Sequence, residues 1–366
     1  MVLAKKLRVE LGERSYDIMA GTGLLEEAGR LLQERGLAGK ALVVTNTTVA
    51  ELYLNQLAAG ITKAGFETAT LVLPDGEEYK TLSYVEKVYD AAVQERLERN
   101  SVMVALGGGV IGDLTGFAAS SYLRGVHFVQ VPTTLLAQVD SAVGGKVGVN
   151  HREGKNLIGA FYQPALVITD LLTLKTLAER EYRAGLAEVI KHALIMDPGL
   201  YQLLSSHVAE VKNREPAVLE EVVLQACAVK LRVVEKDERE QGLRAILNYG
   251  HTIGHALEAE SGYGVFRHGE AVAIGMAGAS LLSETLGFCP AGLHKETVAI
   301  LERYGLPVAI PREYTAEALY RRMFLDKKVQ RKKVRFVLPR KIGEVFITED
   351  LPETVVIDTL RRLGAG

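Results

Sequence analysis

Three of the eight histidines lie within eighteen positions, and their spacing suits the binding of a metal ion. His251 and His255 are four residues apart in a segment of helix-forming composition, so their side chains would emerge on one face of a helix. His268 follows a glycine-containing turn and begins a second apolar segment with helical spacing. Imidazoles and one carboxylate can hold a divalent ion while leaving one coordination position open, which is typical of a catalytic site.

The same spacing also has an ordinary explanation. Two histidines one helical turn apart arise often by chance, so metal binding and a plain helix both remain open from these residues alone. Thr252 occupies the position at which the metalloprotease motif HExxH has its general base. The sequence therefore disfavours peptide hydrolysis.

A carboxylate for the same ion is predicted in the segment AEVIKHALI at 187–195. Glu188 and Lys191 are three residues apart on one face, within an otherwise apolar stripe. Burying a carboxylate is unfavourable unless it is paired or coordinated, so Glu188 is predicted to join the histidines as a ligand. His192 is the competing candidate, but it points off that face and is interpreted as an ordinary surface or core histidine.

A glycine motif earlier in the chain could hold a phosphate. Gly107, Gly109 and Gly112 form GxGxxG between a predicted strand and a predicted helix. A phosphate at this turn would meet bare backbone amides and the positive end of a helix. The motif follows a late strand, however, and no Asp or Glu lies about twenty residues further on to bind a ribose. Nucleotide binding and a tight structural turn are equal alternatives here.

Further polar residues follow the next predicted strand. Thr133 and Thr134 come just past its carboxyl end, where ligands lie in open α/β sheets. The glycine-rich stretch 141–164 has little periodicity and is predicted to be a long functional loop. Its Lys146, Lys155 and Asn156 are donors suited to anions and hydroxyls, although any single lysine is equally explained as a surface residue.

The elements that must position these residues divide the chain in two. Residues 5–19 alternate as a hairpin does, and the following strand–helix–strand units predict a parallel sheet. From about residue 172 the pattern is mostly helical. We predict an α/β nucleotide-binding domain with a parallel sheet over 1–171 and a mostly α-helical domain over 172–366, packed along a continuous cleft. A basic loop with Lys327 and Lys328 precedes a predicted strand near the C-terminus and could face this cleft.

Composition excludes several classes of protein. The 366 residues are 48% hydrophobic, enough for a sizeable core, and their net charge of -2 gives no global attraction to nucleic acid or acidic membranes. Cys227 and Cys289 have no metal-binding or disulfide-framework spacing, which fits a reducing compartment. The first residues lack an apolar signal core. The sequence predicts a soluble cytoplasmic protein without nucleic-acid or membrane partners.

The motifs, taken together and in order, resemble a known family. They are DGEEYK at 75–80, GGGVIGD at 107–113, PTTLLAQVDSAVGGKVGVN at 132–150, GKNLIGAFYQP at 154–164, AEVIKHALI at 187–195, LNYGHTIGHALE at 247–258 and RHGEAVAIGM at 267–276. In these segments the chain resembles the 3-dehydroquinate synthases, a family of sugar-phosphate cyclases, over nearly its whole length. The resemblance implies an NAD-binding α/β domain, a helical domain that holds zinc or cobalt, and a homodimer.

The resemblance also implies a role for individual residues. The metal ligands would be Glu188, His251 and His268, whereas His255 would bind the substrate or help to move its protons. NAD would be bound by Asp75, Gly76, Glu77, Glu78, Tyr79 and Lys80, by Gly109, Val110, Ile111, Gly112 and Asp113, by Thr133, Thr134, Lys146 and Lys155, and by Thr173, Leu174, Lys175 and Thr176. Substrate contacts would come from Asp140, Lys146, Asn156, Lys191, Lys230, Arg244, Asn248 and either Lys327 or Lys328, with Glu240 near the metal. Arg124 would reach the phosphate pocket of the neighbouring subunit.

The implied reaction converts 3-deoxy-D-arabino-heptulosonate 7-phosphate, a phosphorylated sugar acid, to 3-dehydroquinate in the shikimate pathway. It combines transient oxidation by NAD, β-elimination of phosphate, re-reduction and intramolecular aldol closure. Three alternatives remain. A sister cyclase such as an aminodehydroquinate synthase would share the site, a metal-dependent polyol dehydrogenase would release NADH, and a non-catalytic NAD- or metal-binding protein would have no reason to keep the three predicted ligands.

Overall fold

The computed structural model describes residues 4–240, 242–262, 264–324, 334–349 and 351–366. The chain divides into two compact units, Met1–Leu177 and Ala178–Gly366. The boundary predicted from sequence, at 171/172, falls within the 3-10 turn Leu171–Lys175, which belongs to the first unit. Lys327 and Lys328 lie outside the described residues.

A twisted sheet forms the centre of the first unit. The strands described there are β1 Lys5–Val9, β2 Tyr16–Gly21, β3 Lys40–Asn46, β4 Glu67–Leu73, β5 Val102–Gly107, β6 His127–Pro132, β7 Lys146–His151, β8 Gly154–Phe161 and β9 Leu166–Asp170. The main sheet has the order β1-β2-β9-β6-β5-β3-β4 within the described residues. β1 pairs antiparallel with β2, and the other neighbours are parallel. The predicted hairpin and parallel sheet are confirmed.

Helices cover both faces of this sheet. They are α1 Leu24–Glu34, α2 Thr47–Val49, α3 Asn55–Lys63, α4 Leu82–Gln94 and α5 Gly109–Ser121, and a π-helical turn, Ala50–Leu54, joins α2 to α3. Successive side chains of a strand point to opposite faces, so Val43 of β3 packs with α1 and α3, whereas Val44 packs with α4 and α5. Burial on both faces explains why the central strands read as continuous apolar runs.

The glycine-rich stretch 141–164 contains a β-hairpin and is not the long loop predicted from sequence. β7 and β8 pair antiparallel, with Gly148 opposite Gly159. A Cβ atom on Gly159 would lie 2.3 Å from the carbonyl oxygen of Val147, so these strands approach too closely for side chains at this point. The glycines that removed the strand periodicity from the sequence are the residues that the pairing requires.

The parallel strands of the main sheet end at one edge. β3 and β5 are neighbours in the sheet. From β3 the chain continues to β4 on one side of this pair, whereas β6 and β9 lie on the other side, next to β5. Such a reversal opens a crevice at the carboxyl ends of the two strands, where ligands of open α/β sheets bind. Asn46 and Gly107 end the strands at this point.

The second unit is mostly helical, as predicted. Its described helices are α6 Glu179–Met196, α7 Pro198–Ser206, α8 Val208–Lys212, α9 Pro216–Lys236, α10 His251–Ser261, α11 His268–Thr285, α12 Leu293–Arg303, α13 Ala316–Met323 and α14 Glu353–Arg362, with the hairpin β10 Phe336–Lys341 and β11 Glu344–Thr348 and the 3-10 turn Leu243–Asn248. Across the described chain, no helix combines the length and the apolar character needed to traverse a bilayer.

Glycines let α11 lie unusually close to its neighbours. A Cβ atom on Gly269 would be 1.9 Å from the carbonyl oxygen of Ala184 in α6. A Cβ atom on Gly275 would be 1.8 Å from the carbonyl oxygen of Gly250, the residue before α10. Both distances are far below van der Waals contact, so only glycine permits this packing. The beginning of α11 is thereby held against α6, and the beginning of α10 is held against α11.

Candidate functional site

Three side chains from different helices converge in the second unit. Glu188 is fully buried in α6, and His251 and His268 are the first residues of α10 and α11. Oε1 of Glu188 lies 3.9 Å from Nε2 of His251 and 3.8 Å from Nε2 of His268. These distances are too long for hydrogen bonds, and Oε1 accepts no hydrogen bond from the described protein.

The gap between these atoms fits a small cation. Zinc binds imidazole nitrogen and carboxylate oxygen at about 2.0–2.2 Å, which separates neighbouring ligand atoms by roughly 3–4 Å. The three atoms lie within 4.8 Å of one another. A buried carboxylate oxygen without a donor is unfavourable, and a metal ion would satisfy it. The predicted set of Glu188, His251 and His268 therefore has the geometry of a ligand set.

Each of these ligands is held through its other polar atom. Nδ1 of His251 donates to the carbonyl oxygen of Tyr249 over 3.1 Å, which leaves Nε2 with its lone pair. Nδ1 of His268 lies 3.3 Å from Oε2 of Glu258. Oε2 of Glu188 forms a buried ion pair with Lys191, one helical turn further along α6. The inner atoms are therefore oriented by partners outside the gap.

The electrostatic surroundings of His268 favour its charged form. Burial by itself would lower the pKa of His268, but the hydrogen bond to Glu258 and the negative charges of Glu188 and Glu258 together raise it. A cation at the gap would compete with this proton for the imidazole.

His255 lies beside the three ligands but is placed differently. Its ring centroid is 5.2 Å from that of His251 and 5.9 Å from that of His268. Among the described residues, Glu188 forms a possible metal-binding group with His251 and His268, whereas His255 is grouped with Glu258 and His268. The geometry favours the ligand set implied by the family resemblance over the pair suggested by HxxxH spacing. His255 remains in reach of a molecule bound at the metal.

Four of the residues assigned to the substrate or its surroundings lie on or near the 3-10 turn of the second unit. Arg244 and Asn248 lie on this turn, and Asn248 Nδ2 donates to Oε1 of Glu240 over 3.3 Å. Asp237 accepts a hydrogen bond from the backbone nitrogen of Arg244 over 2.9 Å and so fixes the start of the turn. Lys230 is buried on α9, which packs against the same turn. Arg244 is also buried, and burying a cationic side chain is unfavourable unless it is paired or serves a binding site.

The residues assigned to NAD in the first unit follow the carboxyl ends of the parallel strands. Asp75 follows β4, and its two oxygens accept hydrogen bonds of 2.8 Å from Asn46 Nδ2 and Thr48 Oγ1. Thr133 and Thr134 follow β6. The segment Gly109 to Asp113 forms the first turns of α5, whose N-terminus has no side-chain cap. The backbone amides of its first residues, before Gly112, receive no side-chain cap and could bind an anion.

A polar network joins several of these residues. Nζ of Lys80 lies 2.5 Å from Oδ2 of Asp113 and 2.7 Å from Oδ1 of Asn156. Asn156 has a left-handed backbone with φ of 52°, and its backbone N–H donates to Oδ1 of Asn150 over 2.8 Å. Asn150 Nδ2 in turn donates to Oε1 of Glu77 over 2.8 Å. Asn156, assigned to the substrate from sequence, thus contacts residues assigned to NAD.

The remaining candidates differ in accessibility. Ile111 and Leu174 have side chains in the core, so only their backbone could contact a cofactor. Oγ1 of Thr173 donates a hydrogen bond to the carbonyl oxygen of Asp170 over 2.7 Å. Oγ1 of Thr176 shares a hydrogen bond of 2.5 Å with the hydroxyl of Tyr53. Other candidates lie on turns and helices: Gly76, Glu78 and Tyr79 around a 3-10 turn, Val110 and Gly112 on α5, and Asp140 on the π-helical turn Ala137–Ser141. Among the basic candidates, Lys146 on β7, Lys175 and Arg124 are exposed, and Lys155 on β8 is half-buried. Arg124 has a φ of 70°.

The glycines of GxGxxG also serve packing. A Cβ atom on Gly112 would lie 2.8 Å from Oε1 of the buried Gln130, and one on Gly107 would lie 2.9 Å from Cβ of Ile111. The tight-turn interpretation therefore has a structural basis of its own, and it is compatible with phosphate binding at the same helix end.

Sequence reasoning missed three residues that hold these candidates in place: Glu258, Asn150 and Asp237. Glu258 could have been found, because it lies seven residues after His251 and so falls two turns along the same face of α10. Asn150 and Asp237 act through hydrogen bonds to backbone amides, and no spacing rule identifies such contacts.

Two family models match the chain. The model described as 3-dehydroquinate synthase N-terminal matches residues 70–184, and the model described as 3-dehydroquinate synthase C-terminal matches residues 185–329. The chain belongs to the 3-dehydroquinate synthase family. This membership confirms the resemblance, the enzyme class and the function that the motifs predicted.

Curated relatives named 3-dehydroquinate synthase match nearly the whole chain. The relative from Pelobacter propionicus is 51% identical over 341 residues, which are 93% of this chain and 95% of the relative. The relative from Geobacter metallireducens is 51% identical over 351 residues, which are 95% of this chain and 97% of the relative. The 3-dehydroquinate synthase family belongs to aromatic biosynthesis through the shikimate pathway.

Solved structures confirm the fold class of this 3-dehydroquinate synthase family member. A 2-deoxy-scyllo-inosose synthase complexed with carbaglucose-6-phosphate, NAD+ and Co2+ has a TM-score of 0.90 at 26% identity and covers 98% of this chain and 100% of its own. A 2-epi-5-epi-valiolone synthase from Streptomyces hygroscopicus with NAD+ and Zn2+ has a TM-score of 0.88 at 32% identity, covering 97% of this chain and 98% of its own. A butanol dehydrogenase from Thermotoga maritima, with a TM-score of 0.65 at 16% identity over 95% of this chain and 96% of its own, shares the fold alone.

Proposed function

We propose that this chain converts 3-deoxy-D-arabino-heptulosonate 7-phosphate to 3-dehydroquinate and phosphate, with NAD and a zinc or cobalt ion as cofactors. The observation that carries the proposal is the donor-free Oε1 of Glu188 facing Nε2 of His251 and His268, in a chain 51% identical to curated 3-dehydroquinate synthases. NAD+ with Co2+ or Zn2+ in the two cyclase structures supports the cofactors. When bound, NAD accepts and returns a hydride and the metal polarises substrate oxygens.

The three ligands would hold the metal ion and leave positions open to substrate oxygens. Lys191 neutralises one oxygen of Glu188, so the carboxylate would present a single inner oxygen to the ion. Three protein ligands and an open position are the arrangement of catalytic zinc sites. The ammonium of Lys191, which is buried beside the ligand, is also a donor to a substrate hydroxyl.

Residues of the first unit would bind NAD. The uncapped amides at the start of α5 suit a pyrophosphate, and the crevice between β3 and β5 suits the rest of the dinucleotide. Asp75, held by Asn46 and Thr48, is an oriented acceptor for hydroxyl groups. Lys80, held by Asp113, would orient the end of the cofactor nearer to Asn156.

The substrate carries a carboxylate and a phosphate, and several basic side chains of the protein would bind these anionic groups. Arg244 and Lys230 are buried in the second unit, where a guanidinium can bind an anion through two parallel hydrogen bonds. Asn248, oriented by Glu240, and Lys146, Asn156 and Asp140 would bind further oxygens.

His255 would hold or move a proton at the substrate. Its ring lies within 6 Å of both histidine ligands, so a molecule at the metal would be within its reach. The departing phosphate is itself a base for the elimination step. If the phosphate takes that role, substitution of His255 would lower the rate of turnover without abolishing it.

Two features of the assembly belong to the same proposal. The protein would act as a homodimer in which Arg124, exposed in a turn of left-handed backbone, contributes to the phosphate pocket of the neighbouring subunit. It would work in the cytoplasm, a location supported by two free cysteines.

The proposal is tested by incubating the purified protein with the heptulosonate phosphate, NAD and zinc. Phosphate and absorbance at the NADH band are followed together, because NADH is consumed again within each cycle. Phosphate release without net NADH is expected. Net NADH from a simple polyol, without phosphate release, would instead identify a polyol dehydrogenase.

A sister cyclase is the second candidate, because an inosose synthase matches with a TM-score of 0.90. The curated 3-dehydroquinate synthases are more similar in sequence, at 51% against 26% identity. The same assay with glucose 6-phosphate distinguishes the two. Turnover of the hexose phosphate but not of the heptulosonate would overturn the proposed substrate.

A further inference from the structure

We infer that Glu258 is a positioning residue for the metal site, which orients His268 and strengthens it as a ligand. Oε2 of Glu258 lies 3.3 Å from Nδ1 of His268, and Glu258 is 9% exposed. The inference rests on the proposed metal site and adds a residue that binds neither metal nor substrate.

The arrangement of His268 requires such a partner. Its Nε2 faces Oε1 of Glu188, so a metal ion at the gap would use the lone pair of this nitrogen. The ring proton must then lie on Nδ1, where Glu258 accepts it. A carboxylate that accepts this proton fixes the tautomer and the ring orientation and makes the imidazole a stronger donor to the metal.

The two histidine ligands are supported unequally. The proton on Nδ1 of His251 is accepted by a neutral carbonyl group, that of Tyr249. This carbonyl lies in the main chain just before α10, two residues from His251. His268 depends on a side chain from another helix, because Glu258 lies on α10 and His268 begins α11. Replacing Glu258 therefore removes a charged support that the backbone does not replace.

A different role for Glu258 must be distinguished from positioning. His255, Glu258 and His268 also have ligand atoms within 4.8 Å of one another, so Glu258 could be imagined as a direct ligand. That arrangement would use Nδ1 of His268 and would leave Oε1 of Glu188 without a donor. The fully buried carboxylate of Glu188 favours the site at Nε2.

The test measures metal affinity in the full-length protein by competition with a chromophoric chelator. Glu258→Ala is expected to weaken zinc binding by about 10–100-fold, the usual effect of losing an outer partner of a ligand. Glu258→Gln should restore part of the affinity, since its amide oxygen can still accept the proton on Nδ1. Glu260→Ala is the matched control on the same helix, because Glu260 pairs with Arg322, 2.7 Å away.

Cobalt spectra separate positioning from a purely structural role. Glu258→Gln should retain the cobalt absorption of a site with unchanged ligands, shifted in energy, while thermal unfolding of the metal-free protein stays close to that of Glu260→Ala. Unchanged zinc affinity in Glu258→Ala would overturn the inference. Equal losses in His255→Ala and Glu258→Ala, with a changed coordination number, would overturn it in favour of direct coordination. If the unsubstituted protein binds no zinc, the proposed metal site itself fails.

Discussion

Glu188 uses its two carboxylate oxygens for different purposes. One oxygen forms a buried ion pair with Lys191, and the other faces two imidazole nitrogens without receiving a hydrogen bond. The pair is almost completely buried, with side-chain exposures of 2% for Lys191 and 0% for Glu188. The metal ligand and the lysine therefore depend on each other for stability as well as for function.

The first prediction concerns this pair. In the metal-free protein, Glu188→Gln is expected to lower the free energy of unfolding by about 3–5 kcal/mol, because Lys191 loses its buried counter-charge. Lys191→Met should have a similar effect, since it leaves the carboxylate of Glu188 without its lysine. The double variant should recover part of the loss. Urea unfolding of the three variants measures these differences.

The recovery is the informative result. If the two single losses simply add in the double variant, the residues do not interact and the ion pair makes no net contribution. Glu188→Gln should also abolish zinc binding, whereas Lys191→Met keeps the three ligands and should retain measurable binding.

At the level of single residues, the sequence contained most of the candidate site. Glu188 is predicted as a ligand because a carboxylate in an apolar stripe needs a partner, and His268 because it begins an apolar helix; the structure places these two side chains near each other. The role of His255 could not be read from spacing, since one helical turn separates it from His251 whether or not it binds the ion. Spacing places Glu258 on the same face of α10 as His251, but its contact with His268 depends on how two helices pack.

At the level of elements, the metal site depends on close helix packing. Gly269 follows His268 directly and allows the start of α11 to lie against the backbone of α6 at Ala184. Because Glu188 lies one helical turn after Ala184 in α6, this contact also sets the distance between His268 and Glu188. A glycine next to a ligand therefore determines the ligand geometry.

The second prediction is that Gly269→Ala both destabilises the protein and weakens zinc binding. The new Cβ atom would lie 1.9 Å from a backbone oxygen, so α11 must move away from α6. Overpacking of this kind costs about 1–3 kcal/mol. Thermal unfolding and chelator competition measure the two effects.

Gly278→Ala is the control on the same helix. Its Cβ atom would meet the ends of the flexible Ile253 and Leu363 side chains, at 2.5 Å and 2.9 Å, and these can rotate away. A smaller loss of stability and unchanged zinc affinity are expected. Equal zinc affinity in the two variants would contradict the proposed link between Gly269 and the ligand distance.

The β-hairpin formed by β7 and β8 marks a limit of prediction from local pattern. Strand periodicity is recognised by alternating side chains, and Gly148 and Gly159 have none. The pairing is decided by the contact between the two strands, which single-strand patterns do not contain. The strongly apolar β3 and β5, in contrast, were predictable because they are buried on both faces.

At the level of the whole molecule, the alternation of strand and helix patterns followed by helices alone was sufficient to predict the fold class. The 3-10 turn Leu171–Lys175 is joined to the end of β9 by hydrogen bonds from Leu172 and Thr173 to Asp170. Such contacts extend the first unit beyond its last strand.

The third prediction is that metal stabilises the entire protein against heat. A ligand that binds only the folded state contributes about 2.7 kcal/mol when its free concentration is 100 times Kd. Adding zinc to the metal-free protein is therefore expected to raise Tm in calorimetry, and the increase should depend on zinc concentration. Glu188→Gln protein should show no increase, and an equal increase there would assign the effect to a different site.

The contact between Gly275 and the carbonyl oxygen of Gly250 restricts how this sequence can diverge. Any side chain at 275 would push back the backbone that leads directly into His251. A substitution that neighbouring residues could accommodate by repacking would still displace a metal ligand. A side chain at position 275 is therefore expected only in relatives that no longer bind the metal.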